Sequence, residues 1–153
     1  MNCENIRKAA PADAFRIAEI EVFNYRLGFY PIFKNDDFYF NELQVGKEAE
    51  KLIADENILQ NTYVYDDGAV KGFVIIDGSD VWKLFVEPVL HGQSIGSQLL
   101  SYVKEVHNVQ SLWALEKNIR AIKFYEKHGF CITEEKIFEE GTDEYLVRMR
   151  RKK

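Results

Sequence analysis

Residues 81–115 constrain the fold of this chain more than any other stretch. An almost uninterrupted apolar run over 81–86 reads as a strand, ended by Pro88, which has no N–H to give a ladder. A loop containing Gly92 and Gly96 follows. Ile95, Leu99, Leu100, Val103 and Val106 then recur at the period of a helix over 94–107, and 111–115 is again apolar and extended. Strand, helix and strand in that order make a β-α-β unit, in which a crossover returns the chain to the same sheet.

Upstream the pattern is one of helices and hairpins. Residues 4–8 read as a first strand. Pro11-Ala12-Asp13 introduces Phe15, Ile17, Ala18, Ile20, Val22 and Phe23, which suit a helix to about Tyr25, with Gly28 and Pro31 as its breakers. A second helical region over 37–55 carries an interruption near Gly46, and 57–61 is its exit loop. Strands over 62–65 and 69–76 flank Asp66-Asp67-Gly68, a turn composition that tolerates positive φ. Downstream, Asn118 is placed to cap a helix that Gly129 ends, and strands over 130–138 and 144–149 close the sheet around Gly141. The expected class is α/β: a central mixed, mostly antiparallel twisted sheet of about seven strands flanked by about four helices, ordered β-α-α-β-β-β-α-β-α-β-β.

At 153 residues and 46% hydrophobic the chain suits one domain over 1–153 with one sizeable core. No apolar run is long enough to span a bilayer, so no membrane association is expected. Met1-Asn2-Cys3-Glu4 lacks a basic region followed by an apolar block, and Cys3 and Cys131 are too few and too far apart for a disulfide framework, which together point to the cytoplasm. Cys131 reads as a small buried hydrophobe in a strand rather than a nucleophile. A net charge of −5 speaks against nucleic acid, and the basic run over 148–153 reads as a solubilising tail. His91, His107 and His128 have no metal-ligand spacing, so no metal is expected.

A loop that opens a helix points unpaired backbone N–H groups at an anion, and the helix dipole adds partial positive charge. His91, Gly92, Gln93, Ser94, Ile95, Gly96 and Ser97 form such a loop and first turn, with Gly92 and Gly96 keeping side chains clear. Ser94 adds a hydroxyl that either crowds a phosphate or donates to it. His91 reads equally as a phosphate contact and as a loop histidine with no dedicated role. The later stretch over 118–130 reads Asn-Ile-Arg-Ala-Ile-Lys-Phe-Tyr-Glu-Lys-His-Gly-Phe. Together the two segments resemble the GCN5-related N-acetyltransferase (GNAT) superfamily, whose phosphate loop reads Gln/Arg-x-x-Gly-x-Gly/Ala and whose later segment reads Asn-x-x-Ala-x-x-Phe-Tyr-x-x-x-Gly-Phe. Asn118, Ala121, Phe124, Tyr125, Gly129 and Phe130 fit the second at every named position. The first is matched at Gly96, while His91 stands for Gln or Arg and Ser94 for the middle Gly.

The resemblance covers nearly the whole chain and implies an acetyltransferase using acetyl-CoA. Phe85 and Val86 would offer backbone groups to the pantetheine arm, as an added strand, and to the thioester carbonyl. Asn118 would contact the cofactor as well as cap its helix. Tyr125, a phenol with an ordinary pKa near 10 against about 8.5 for a thiol, would assist the departing thiolate mainly by hydrogen bonding. Asp77, Asp80, Glu87 and Glu116 lie near the relevant strands, but none is assigned as general base. Trp113 stands where relatives acting on ribosomal-protein N-termini often carry an acid. Aromatic residues crowd 23–40 beside Asp36, Asp37 and Glu42, a lining suited to a primary amine on a small molecule or peptide, although helix packing or a homodimer interface accounts for such rings too. The alternative function is a module of the same fold that binds acyl-CoA without turnover.

Overall fold

The computed structural model describes residues 4–152. The readings of Cys3, of the first residues as carrying no leader, and of Lys153 in the basic run lie outside the described residues. Seven strands, β1 (Ile6–Lys8), β2 (Thr62–Asp66), β3 (Val70–Asp77), β4 (Asp80–Val86), β5 (Ser111–Leu115), β6 (Phe130–Phe138) and β7 (Tyr145–Arg151), form one sheet in the order β1-β2-β3-β4-β5-β7-β6. Every neighbouring pair is antiparallel except β4 and β5. That parallel pair is the β-α-β unit legible in the sequence, its crossover being α5 (Ile95–Val106).

Both faces of the sheet are covered. Strand β3 shows why its sequence is apolar throughout: Val74 and Ile76 pack toward α5 and α6 (Ile119–Lys127), while Phe73 and Ile75 pack toward α1 (Ala14–Asn24) and α3 (Val45–Ala54). Gly72 sets how closely α5 sits on the sheet, since a Cβ there would lie 3.1 Å from Ile95 Cγ2, Leu99 Cδ1 and Phe85 O. A methyl group there would require these neighbours to give by a few tenths of an ångström.

The amino-terminal helices depart from the expected two: four α-helices precede β2, which makes six in all among the described residues. Gly28 and Pro31 do not end the first helix, which passes through a π turn (Tyr25–Phe29) into α2 (Tyr30–Phe33) and stops where Lys34 turns left-handed at φ 53°. The Tyr30 N–H reaches back five residues to Tyr25 O, and this wider step takes up the change of path, while Pro31 sits in a first turn where its missing N–H costs little. A second π turn (Asp37–Glu42) precedes α3, so the interruption falls at Leu43 rather than Gly46. The expected exit loop over 57–61 is a short helix, α4 (Glu56–Gln60), capped by Asp55 accepting from Ile58 N at 3.2 Å. Among the described residues no helix is long and apolar enough to cross a membrane.

Candidate active site

Strands β4 and β5 pair only at Asp80 with Ser111 and Val81 with Leu112, and then diverge. Three side chains lock the paired end. Arg148 on β7 donates to both oxygens of Asp80 at 2.8 and 3.0 Å and to Ser111 Oγ at 2.9 Å, and Ser111 donates to Asp80 at 2.7 Å. The Asp80 carboxyl is held below the usual range by Arg148 and Ser111, against the opposing effect of its burial. Beyond this point β4 bulges at Trp82, the residue skipped between the pairs Ile75 with Lys83 and Ile76 with Val81.

Past the bulge β4 is tied to α1 instead of β5. Lys83 donates to Glu21 Oε1 at 2.7 Å, and Glu21, only 3% exposed, is the one buried charged residue among those described. Tyr25 packs edge-on to Phe85, and burial first, then Glu21, pushes its phenol well above the usual value. At the far end the Val86 carbonyl accepts from Asn24 Nδ2 at 2.8 Å and from His91 Nε2 at 3.0 Å. Glu87 donates across β3 to Lys71 O, which makes Glu87 and Lys71 a hydrogen-bonded pair. Counting back by twos, Phe85 and Lys83 also turn their main chain toward β3, and Leu84 and Val86 turn theirs into the gap.

The gap opens on a cavity of about 540 Å³. Its walls come from three directions: Asn24, Leu27, Gly28 and Phe29 from α1 and its π turn; Leu84, Phe85 and Val86 from β4; and Asn118, Arg120, Ala121 and Phe124 from α6. Its floor is the loop, through Leu90, His91, Gly92, Ser94, Ile95 and Gly96. Gly92 at φ 86° and Ser94 at φ 68° both adopt the left-handed region, and this path swings the chain into α5. Gln98 N donates to Ser94 O, so Ile95, Gly96 and Ser97 are the residues whose N–H groups precede the first helical donor. They begin the helix at the cavity, an arrangement that suits a phosphate.

Eight of the eleven residues singled out in the sequence line this cavity: Phe85, Val86, His91, Gly92, Ser94, Ile95, Gly96 and Asn118. Phe85 meets it through its ring. Asn118 accepts from Ala121 N at 3.2 Å and so caps α6 with its oxygen, which leaves its Nδ2 available. His91 spends a ring nitrogen on Val86 O. Burial, aided by the charge of Arg120, holds its pKa below the ordinary value against that bond, so at neutral pH it is a donor to a carbonyl and carries no charge for a phosphate. Gln93, Ser97 and Tyr125 are not among the lining residues; Ser97 Oγ is 2.9 Å from His128 Nε2. Tyr125 packs edge-on against Phe124 and Phe130, and burial raises its phenol far above the usual value. Its hydroxyl makes no hydrogen bond to the described residues, of which only His107 Nε2 is a buried side-chain atom lacking a partner, so the hydroxyl touches open space.

Sequence reading missed Asn24, Glu21, Lys83, Leu84 and Arg120. Arg120 had a signal, a cation in the first turn after the Asn118 cap; the others depend on which helix lies over β4. Three of the four acidic residues weighed as bases are engaged, Asp80 with Arg148, Glu87 with Arg16 and Glu116 with Lys136, and Asp77 has no such partner among the described residues. Many of the rings over 23–40 pack on one another, Tyr30 on Tyr39 and Phe40 and Phe38 on Tyr39, and Tyr39 is only 5% exposed. Asp36 accepts from Tyr30 and Asp37 from Asn41. Phe29 is the ring of this group that reaches the cavity. Among the described residues no cluster of three or more metal-ligating side chains occurs.

The family described as Acetyltransferase (GNAT) domain matches residues 59–132, which run from the end of α4 to the start of β6. The chain is 37% identical over 76 residues to peptidyl-lysine N-acetyltransferase YiaC of Escherichia coli, covering 49% of this chain and 52% of that protein. It is 31% identical over 70 residues to peptidyl-lysine N-acetyltransferase YjaB of Salmonella typhimurium, covering 46% and 48%. The match thus spans about half the length of these curated relatives. The whole fold is similar to PaiA N-acetyltransferase from Thermoplasma acidophilum in complex with coenzyme A (TM-score 0.73, 17% identity, 95% of this chain and 97% of that one). It is also similar to apo YjaB from Escherichia coli (TM-score 0.71, 18% identity, 95% of each chain). With the loop, the capped α6 and the mixed sheet in place, residues 59–132 match the acetyltransferase (GNAT) domain family, and the chain as a whole is similar in fold to solved N-acetyltransferases.

Proposed function

We infer that the protein transfers an acetyl group from acetyl-CoA to a primary amine, and that the amine is a lysine side chain on a peptide or protein. The observation that carries the reading is the divergence of β4 from β5 directly above a helix-opening loop. A strand edge with Leu84 and Val86 facing a gap suits an extended amide chain, and the start of α5 at one end of that gap suits a pyrophosphate. The lysine acceptor is supported by the names of the two curated relatives, and the cosubstrate by the coenzyme A complex of the structural neighbour.

The reaction needs three things from the chain. The amine nitrogen must be held against the thioester carbonyl, the developing oxyanion must meet a donor, and the thiolate must be stabilised as the carbon–sulfur bond breaks and the carbon–nitrogen bond forms. The Leu84 and Val86 N–H groups are the candidates for the second task and the Tyr125 hydroxyl for the third. The raised phenol pKa makes Tyr125 a hydrogen-bond donor to sulfur rather than a source of a fully transferred proton. No carboxylate is assigned as base, so loss of the ammonium proton to water is the assumed route.

Thiol release from acetyl-CoA over a panel of lysine-containing peptides, beside calorimetry of CoA binding, tests the reading; release with a lysine peptide and not with its arginine counterpart is the expected result. Tight CoA binding without release on any amine would favour the second reading, a binding module without turnover, which Ser94 in a left-handed conformation and the absent base support.

A further inference from the structure

Asn24 carries a hydrogen-bond acceptor that no described residue uses. It lies at the end of α1 and is 9% exposed. Its Nδ2 donates to Ile20 O and Val86 O, each at 2.8 Å. Both partners are carbonyls and can only accept, so the nitrogen faces them and Oδ1 is turned the other way. Among the described residues no donor reaches Oδ1. His107 Nε2 is the only buried side-chain atom there without a partner, so Oδ1 opens on the cavity that Asn24 lines.

The neighbouring carbonyl makes this acceptor matter. Val86 O has two lone pairs and receives two bonds, from Asn24 and His91. An extended amide laid along β4 therefore finds a free N–H at Val86 but a carbonyl already saturated. Asn24 Oδ1 belongs to the same carboxamide that caps this carbonyl, and it offers an acceptor beside it. Across the cavity Asn118 has the complementary arrangement, its oxygen spent on Ala121 N and its Nδ2 left to donate. An amide lying between the two asparagines would find on one the acceptor its N–H needs and on the other the donor its carbonyl needs.

We propose that Asn24 is a ligand-binding residue whose Oδ1 accepts the N–H of a pantetheine amide in place of the capped Val86 carbonyl. This rests on the reading that the cavity holds CoA. The test measures affinity by calorimetry for CoA, for adenosine bisphosphate, which is its nucleotide half, and for two CoA analogues methylated in turn at each pantetheine amide nitrogen. Asn24→Ala should weaken CoA about tenfold, the worth of one well-made hydrogen bond, and leave adenosine bisphosphate unaffected, which also shows that the variant is folded. One of the two methylations should weaken the wild-type protein by a similar factor and add nothing in Asn24→Ala. Wild-type protein that binds CoA and both analogues alike would overturn the proposal, whether or not the variant folds. So would an Asn24→Ala variant as sensitive to methylation as the wild type, because the contact would then lie elsewhere. Failure of the wild-type protein to bind CoA at all would instead remove the cosubstrate reading beneath it.

Discussion

The two ends of β4 are held by different means. At Asp80 the strand pairs with β5 and is braced by the Arg148 clamp, whose groups bond one another across three strands. At Val86 it has no strand neighbour on that side and is tied to α1 and the loop through side chains, Asn24 and His91. The first end is a joint and the second a rim. The contrast shows how a sheet opens a slot without disorder: one helix side chain and one loop side chain replace the lost ladder on one carbonyl and leave the adjacent N–H groups unused.

Damage to the slot should exceed damage to the joint. Gly96→Glu is expected to abolish measurable CoA binding, a loss of at least about a hundredfold, by placing a carboxylate where the phosphate would sit. A Cβ at Gly96 would lie only 3.5 Å from Phe124 and 3.6 Å from Val86, ordinary contact distances, so Gly96→Ala should remain folded and serve as the calorimetric control. Tyr125→Phe should lower kcat ten- to a thousandfold and spare CoA affinity, since ring packing on Phe124 and Phe130 survives and only the hydroxyl is lost. Unchanged kcat when chemistry limits turnover would remove Tyr125 from the mechanism. Arg148→Ala attacks the joint and should cost about 2 kcal/mol in denaturant unfolding, because Asp80 and Ser111 lose their shared donor at a partly exposed site.

Smaller effects sharpen the picture at the rim. Ser94→Gly relieves a side chain in the left-handed region and adds backbone entropy to the unfolded chain, for a net gain near 0.5 kcal/mol. If the Ser94 hydroxyl donates to phosphate, the same variant would bind CoA less tightly while melting higher. The smallest expected effect is on pH. Burial lowers the pKa of His91 and of His128, so the unfolded chain takes up protons first as pH falls. Their contribution is intact above about pH 6.5 and lost below it. His91→Gln, which keeps a donor for Val86 O, should flatten part of that slope in melting temperature.

Local features were legible in the sequence and register was not. The loop at Gly92 and Gly96, the Asn118 cap and the apolar stripe of α5 each depend on residues a few positions apart, and all fall where expected. The divergence after Val81 depends on how β4 meets β5, strands separated by the whole of α5, and nothing local marks Leu112 as the last paired residue. Glu21 and Asn24 read as ordinary polar positions on a helix; their burial follows from α1 lying across β4. The π turns were hidden because Gly28 and Pro31 look like breakers, whereas a turn one residue wider carries the chain past both. Tyr39 belongs to the aromatic crowd over 23–40 read as a lining, and it is buried against the rings of Tyr30 and Phe38.

Amide hydrogen exchange with and without saturating CoA tests the central claim most directly, because it reads the main-chain groups of the slot one at a time. Leu84 and Val86, facing the gap, and Ile95, Gly96 and Ser97, opening α5, should exchange more slowly when CoA is present, while Phe85, bonded to β3, and Leu112, at the closed end of the pair, should not change. Protection of the α5 start without any at Leu84 and Val86 would contradict the claim that the open edge of β4 receives the cosubstrate.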